Sequence, residues 1–388
     1  MQLRDAAAAL GGHYQTAGGW VRQGTLRARL PRRQREVRDP VSGILPVMMI
    51  GVGLDARLGL PFDQLRAAAR EAERLGFESL WTPAGGVPDA FHVCAAWAQD
   101  TGLRTGISVV PAALMWTPPA LAVQAATVAQ LSDGGFVLGL GTGGVGPGFW
   151  AAAGLPDRPI AVMRKYATSV RELLGGRAVN SDGLTLGPRT TALRAAGLPR
   201  VPVYLAALGP QMLRLASEVA DGVLLNWATP ARIAQSRTLV ADGASRAGRV
   251  PADVPLTMYI RVCVDDDLAE ARRAFGGQVL SYAMAAPGTP KTAGYRGMFG
   301  QMGFDAVLTE LEGRRDRGAA LPELVDAAPD ELFRAVGYYG PAAGAASAYA
   351  RFSAGLDETV VRIITVRPGP GPVIEAMSAL TPALIRAA

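Results

Sequence analysis

Histidine and cysteine are almost missing from this chain: two of each in 388 residues. His13 falls near the start, and His92 and Cys94 stand two apart on a segment that reads as helix, so they face different ways. With no third ligand in sight, no metal site is expected. Two cysteines give no disulfide framework and suit a reducing compartment. No apolar run is long enough to cross a bilayer, and the arginines of the N-terminus flank no continuous apolar stretch of the secretory kind. The expectation is a cytoplasmic protein without a membrane partner. No serine or cysteine sits in a nucleophile-elbow context, which argues against covalent hydrolysis. A chain this poor in acids, bases and metal ligands at strand ends leaves the hard chemistry to a cofactor.

Charge needs locating before it is interpreted. The formal net charge is +6, but residues 1–47 hold eight arginines against Asp5, Glu36 and Asp39, which accounts for five of the six. The remainder is nearly neutral, so no nucleic-acid footprint is expected of it. Residues 1–47 lack a sustained period and read as a basic, disordered extension. Met48-Met49 stands directly before the first convincing strand, a plausible true beginning.

From residue 48 a rhythm sets in. Short apolar segments at 48–54, 78–81, 106–110, 136–140, 201–206, 222–226, 256–264 and 359–366 read as strands. They are rich in Val, Ile and Leu with few alternating polar residues, as when both faces are covered. Helical segments follow each of them, for example 61–75 with Leu65, Ala68, Ala69, Ala72 and Leu75 on one face and Gly76 as its stop. Residues 177–188 read as a small hairpin turning at Ser181-Asp182-Gly183, and 267–332 as a mostly helical insertion. Eight strand–helix repeats predict a closed (β/α)8 TIM barrel, one domain over 48–388.

Two loops stand out. Gly141-Thr142-Gly143-Gly144-Val145-Gly146 matches G-x-G-x-x-G, yet it follows the fourth strand and runs into Pro147-Gly148-Phe149 instead of a helix, against a dinucleotide fingerprint. Its glycines would still let a flat ligand lie on the backbone at a strand's C-terminal end, or simply make a flexible turn. Ala206-Ala207-Leu208-Gly209-Pro210-Gln211 leads into a helix whose first amides lack internal partners and suit a phosphate, unless this is an ordinary short loop. Asp55 is the carboxylate expected near the same rim. Trp81, Trp116, Phe149, Trp150 and Trp227 fall at or just beyond strand ends, as an apolar substrate wall or as lid packing.

Several segments together are telling: Gly106-Ile-Ser-Val-Val110, Thr117-Pro118-Pro119-Ala120, Leu131-Ser-Asp-Gly134, Phe136-Val-Leu-Gly-Leu-Gly-Thr-Gly143, Val203-Tyr-Leu-Ala-Ala-Leu-Gly-Pro210 and Ala220-Asp221-Gly222-Val223. In this order they resemble the bacterial-luciferase-like flavin and deazaflavin oxidoreductases, most nearly the branch that uses coenzyme F420. The resemblance covers about residues 48–388. It implies a TIM barrel with insertions and a non-proline cis peptide at Ser108-Val109 against the cofactor. It also implies cofactor contacts from Thr142, Gly143 and Gly144, and a phosphate held by the loop of Ala207, Leu208, Gly209 and Gln211. By analogy a homodimer is expected.

The departures carry as much weight. Sugar-phosphate dehydrogenases of that branch place an Asp-His pair after the second strand and a Glu after the fourth-strand Thr-Gly. Here those positions read Thr82-Pro83 and Gly144, so alcohol oxidation is not assigned and no catalytic residue is named. The reading is an F420-dependent reductase acting on a small, largely apolar metabolite. The alternatives are an FMN-dependent monooxygenase of the same fold, or a barrel that binds cofactor but has lost catalysis.

Overall fold

The computed structural model describes residues 48–111, 116–143, 158–180, 190–191 and 197–388. The expected basic extension, Gly144, Phe149, Trp150 and the 181–183 turn lie outside the described residues.

Eleven strands are described. In chain order they are β1 (Met49–Gly53), β2 (Ser79–Thr82), β3 (Arg104–Pro111), β4 (Phe136–Gly141), β5 (Val179–Asn180), β6 (Thr190–Thr191), β7 (Val203–Ala206), β8 (Gly222–Asn226), β9 (Leu256–Val264), β10 (Gly337–Gly340) and β11 (Glu358–Ile364). Eight of them pair in parallel around a closed circuit, β1-β2-β3-β4-β7-β8-β9-β11 and back to β1. This is the (β/α)8 barrel expected from the repeat count. β5 and β6 pair antiparallel with each other, so the return strand of the expected hairpin falls just beyond residue 188. β10 was not anticipated. It joins the far half of β9, from Arg261 to Val264, above the point where β8 ends.

Helices α1 (Phe62–Arg74), α2 (Ala90–Asp100), α3 (Pro118–Leu131), α4 (Pro159–Leu174), α5 (Pro210–Val219) and α6 (Pro230–Arg246) follow the first six barrel strands. The insertion after β9 contains α7 (Leu268–Ala283), α8 (Gly294–Phe299), α9 (Asp305–Asp316), α10 (Leu321–Ala327) and α11 (Asp330–Arg334). The chain closes with α12 (Ala342–Ala350), α13 (Pro370–Ala379) and α14 (Pro382–Ala387). Local chemistry starts these helices where they start. Asp89, Thr117, Thr229 and Asp267 each accept first-turn amides, and Pro118, Pro210 and Pro230 occupy positions where a missing N–H costs nothing. α1 buries Leu65, Ala68, Ala69 and Ala72, and Gly76 stops the segment with φ +87°.

Two apolar cores result. The main one lies between the outward strand faces and the helix ring, with Ile50, Val52, Leu80, Leu138 and Val203 among its fully buried members. The insertion has its own, around Phe275, Phe299, Leu308, Leu332 and Phe333. Inside the barrel, Trp81, Val137, Tyr204, Leu224, Tyr259 and Val360 form the packed layer. Trp81 fits because Gly106 faces it: a Cβ at 106 would stand 2.5 Å from the indole ring. Beneath it, at the N-terminal floor, Glu358 accepts from Ser79 Oγ (2.5 Å) and Trp81 Nε1 (3.1 Å) and is ion-paired with Arg104. The mouth at the C-terminal strand ends is what remains for a ligand.

Candidate functional site

One side of the mouth is built from the ends of β3 and β4. The regular β3–β4 register is interrupted between Ile107 and Val110, and within that interval the Ser108–Val109 peptide is cis, as the resemblance implies. The Val109 carbonyl turns outward to accept the amide of Ala84 (3.2 Å). Val109 packs on Gly141 so closely that a Cβ there would stand 2.6 Å from its Cγ2. Beyond Gly141 the chain leaves the strand through Thr142, half-buried, and Gly143, exposed with φ +84°. Ser108, Val109 and Thr142, half-buried, and Gly143, exposed, thus border one ledge at the ends of β3 and β4.

The end of β7 continues that ledge, since a Cβ on Gly141 would also meet Ala206 at 3.7 Å. Here the loop of Ala207, Leu208, Gly209 and Gln211 enters α5. Gly209 is the N-cap, contributes no side-chain cap and faces open space. The first-turn amides of α5 are therefore available to an anion. Ala207 departs from expectation: its amide is spent on the Leu224 carbonyl (3.1 Å), so the residue shapes the loop without donating to a ligand. The loop is held from behind by Arg232, a buried guanidinium that donates to the Leu208 carbonyl (2.7 Å), Gln235 (2.8 Å) and Gln301 (3.2 Å). Outward from Gln211 runs a groove of about 970 Å3 that carries Arg158, Arg164 and Lys165. Glu172 also lines this groove, and Arg164 is ion-paired with Glu218 (2.5 Å), so the feature that fits a phosphate-bearing cofactor is the set of amides without a side-chain cap.

The opposite side of the mouth, at the ends of β1, β8, β9 and β11, is cationic. Asp55 follows β1 at the rim, as expected, and accepts the Arg57 amide (2.6 Å), but its carboxylate is ion-paired with Arg362. Burial alone would lower the Arg362 pKa, and Asp55 together with Tyr259 and Tyr282 more than offsets that. Arg261, 3% exposed, donates to Asn226 Oδ1 (2.5 Å) and lies over the Trp227 ring, 3.7 Å from its centroid. Asn226 in turn donates to the Tyr295 hydroxyl (2.7 Å). Burial, with repulsion from Arg362, pushes the Arg261 pKa down to about 10. Tyr282 stands against the same guanidinium, 5.2 Å from its ring centroid, and accepts from Arg57 (3.3 Å). Burial would raise that phenol's pKa, but Arg261 and Arg57 together hold it below the usual value.

The expected aromatic wall is largely redistributed. Trp81 fills the barrel interior, and Trp116 packs edge-on against Phe91 in the helix layer, 5.6 Å between centroids. Only Trp227 of the described three reaches the mouth, with backbone φ +55°, a conformation rare for a bulky residue and characteristic of functional sites. Arg57, Arg261, Arg362, Tyr259 and Tyr282 were not anticipated. For Tyr259, Arg261 and Arg362 the signal was a period of two: Thr257, Tyr259, Arg261 and Cys263 alternate along β9, and Glu358, Val360 and Arg362 along β11; Arg57, on a short turn, and Tyr282, on α7, carried no such mark. His92 is exposed and bonded to Asp89 (2.7 Å), whereas Cys94 is buried, the opposed facing that their spacing implies. No helix among the described residues is long and apolar enough to cross a membrane.

Known proteins resemble this chain over most of its length. A protein of Mycobacterium tuberculosis named as a coenzyme F420-dependent oxidoreductase is 31% identical over 294 residues, 68% of this chain and 81% of that protein. The 5,10-methylenetetrahydromethanopterin reductase of Methanolobus tindarius is 31% identical over 214 residues, 53% of this chain. That match spans 63% of the reductase, less than two thirds of its length. Among solved structures, the coenzyme F420-dependent tetrahydromethanopterin reductase of Methanopyrus kandleri shares the fold, with a TM-score of 0.65 at 19% identity over 87% of this chain and 99% of that one. The family described as luciferase-like monooxygenases matches residues 45–357, which takes in all of the barrel circuit except β11. With the closed barrel, the β3–β4 ledge and these relatives in agreement, the chain belongs to the luciferase-like monooxygenase family.

Proposed function

We propose that the chain is a coenzyme F420-dependent oxidoreductase working as a reductase on a small metabolite with a largely apolar body. The observation that carries this reading is the ledge itself. Half-buried Ser108, Val109 and Thr142 and exposed Gly143 would receive a flat ring, and the α5 terminus at Gly209, which has no side-chain cap, would stand one strand away for a phosphate. The name of the mycobacterial relative supplies the coenzyme.

When bound, the deazaflavin would supply a hydride. The chain's own residues would do the rest. Backbone at 108–109 and 142–143 would orient the ring, amides of Gly209, Gln211 and Met212 would hold the phosphate, and Arg232 would keep their loop in place. Among the described residues no carboxylate–histidine pair stands beside the ledge; Thr82 ends β2 and Pro83 follows it at that part of the rim. Reduction of an activated C=C, C=N or carbonyl group demands least of such a site, because water or the substrate can deliver the proton.

Anaerobic stopped-flow oxidation of reduced F420 with a panel of small enones, imines and ketones tests this. Turnover of at least one class is expected. Turnover only with reduced FMN and oxygen would replace the proposal with a monooxygenase.

A further inference from the structure

Four buried arginines and the half-buried Arg104 invite comparison. Arg104 is ion-paired with Glu358, Arg362 with Asp55, and Arg296 with both Glu312 and Asp305 (each 2.8 Å). Arg232 has no carboxylate but spends its donors on one backbone carbonyl and two glutamine oxygens. Arg261 differs from all four. No carboxylate among the described residues pairs with it, and it makes a single hydrogen bond, to Asn226. A guanidinium offers five N–H groups in a planar fork suited to a two-pronged oxyanion.

The surroundings sharpen the contrast. Trp227 lies against one face of the guanidinium and Tyr282 stands over it, so the plane is fixed and the free edge is the one left to bind. Around the mouth, Arg57 and Arg362 lie close enough to Arg261 to repel it, and Asp55 is already ion-paired with Arg362. Among the described residues this leaves buried Arg261 without an anion, beside the exposed Arg57, in a site walled by Trp227, Tyr282 and Tyr295. A buried cation without a partner is costly, and the ordinary solution is a counter-ion.

We propose that Arg261, oriented by Asn226 and Trp227 and supported by Arg57 and Tyr282, is an oxyanion-binding subsite that takes the carboxylate of the substrate. This deepens the reductase reading and rests on it: the substrate is a small acid with an apolar or aromatic body. The arginine holds one end so that the reducible group of the other end lies toward the β3–β4 ledge.

Benzoate and inorganic phosphate serve as probes, titrated by calorimetry into the full chain with and without F420. Benzoate is expected to bind, and Arg261→Gln to weaken it at least tenfold, with Arg261→Lys in between. F420 affinity should stay within threefold in both variants. Arg57→Ala, at an exposed position that cannot unfold the barrel, should weaken benzoate severalfold, which keeps the idea testable if residue 261 proves intolerant. Benzoate binding indifferent to Arg261→Gln, or no benzoate binding by the unaltered chain, would overturn the subsite. So would a tenfold loss of F420 affinity in that variant, which would make the arginine a cofactor ligand. A tenfold preference for phosphate would overturn the carboxylate assignment. If F420 does not bind at all while benzoate binding still depends on Arg261, the subsite stands and only the coenzyme reading falls.

Discussion

Gly209→Asp separates folding from cofactor binding at one atom's distance. Gly209 has φ −98° and ψ 163°, extended backbone open to any residue, and an added Cβ meets nothing within 4 Å. Aspartate is also a better N-cap than glycine, so α5 should gain about 0.3 kcal/mol from the new side chain. The same carboxylate would stand where the coenzyme's phosphate is proposed to bind. At ~5 Å and an effective dielectric of about 20, two like charges repel by about 3 kcal/mol, roughly a hundredfold in Kd. Gly209→Asn caps the helix equally well without the charge and serves as the control. Fluorescence titration with F420, paired with thermal unfolding, is the assay. The aspartate variant should melt no lower than the unaltered chain yet bind F420 about a hundredfold more weakly, while the asparagine variant binds nearly normally. Equal affinity in the two variants would refute the phosphate loop, since only the charge distinguishes them.

Two further substitutions probe the barrel. Gly106→Ala drives a methyl group into the Trp81 indole, which is fully buried and has no room to retreat; a loss of about 2–3 kcal/mol in urea unfolding is expected, and a neutral result would mean that the interior is looser than its packing indicates. Asp221 joins β7 to β8 by accepting the Val203 amide (2.9 Å) and pairing with Arg171 and Arg200 (each 2.9 Å). Burial would raise its pKa, but those partners outweigh it and hold the carboxyl below the usual value. A depressed carboxylate stabilises the fold above its ordinary range and loses that contribution as pH falls through the folded value. Asp221→Asn should therefore cost about 3 kcal/mol near neutral pH, with the gap to the unaltered chain narrowing in acid below pH ~4; a gap independent of pH would contradict the ion-pair account.

How much of this was legible in the sequence depended on whether the signal was local. All eight barrel strands were, because strands covered on both faces read as short apolar runs between helix caps that are themselves local. β10 was not. It is four residues, Gly337-Tyr338-Tyr339-Gly340, with none of the aliphatic run that marks the others. Its first glycine is set by the Arg261 carbonyl, 2.5 Å from where a Cβ would be, a neighbour supplied by a distant strand. The glycine ledge and the loop proposed to hold a phosphate were visible because glycine, proline and a helix start leave a mark within a few residues. The cationic side of the mouth was harder. Arg362 and Asp55 lie 307 positions apart in the chain, and Arg261 gains its meaning only from the absence of such a partner. The tryptophans show the reverse error. Position near a strand end suggested a substrate wall, but alternation along β2 turns Trp81 inward, and Trp116 is fixed by packing on Phe91.

Direct titration of the purified chain with F420 and, separately, with FMN tests the central claim most directly, through the fluorescence of each. Tight F420 binding with clearly weaker FMN binding is the expected result. FMN bound in preference to F420 would contradict the coenzyme reading and turn the search toward oxygen chemistry; binding of neither would leave the ledge and the phosphate loop without the cofactor that explains them.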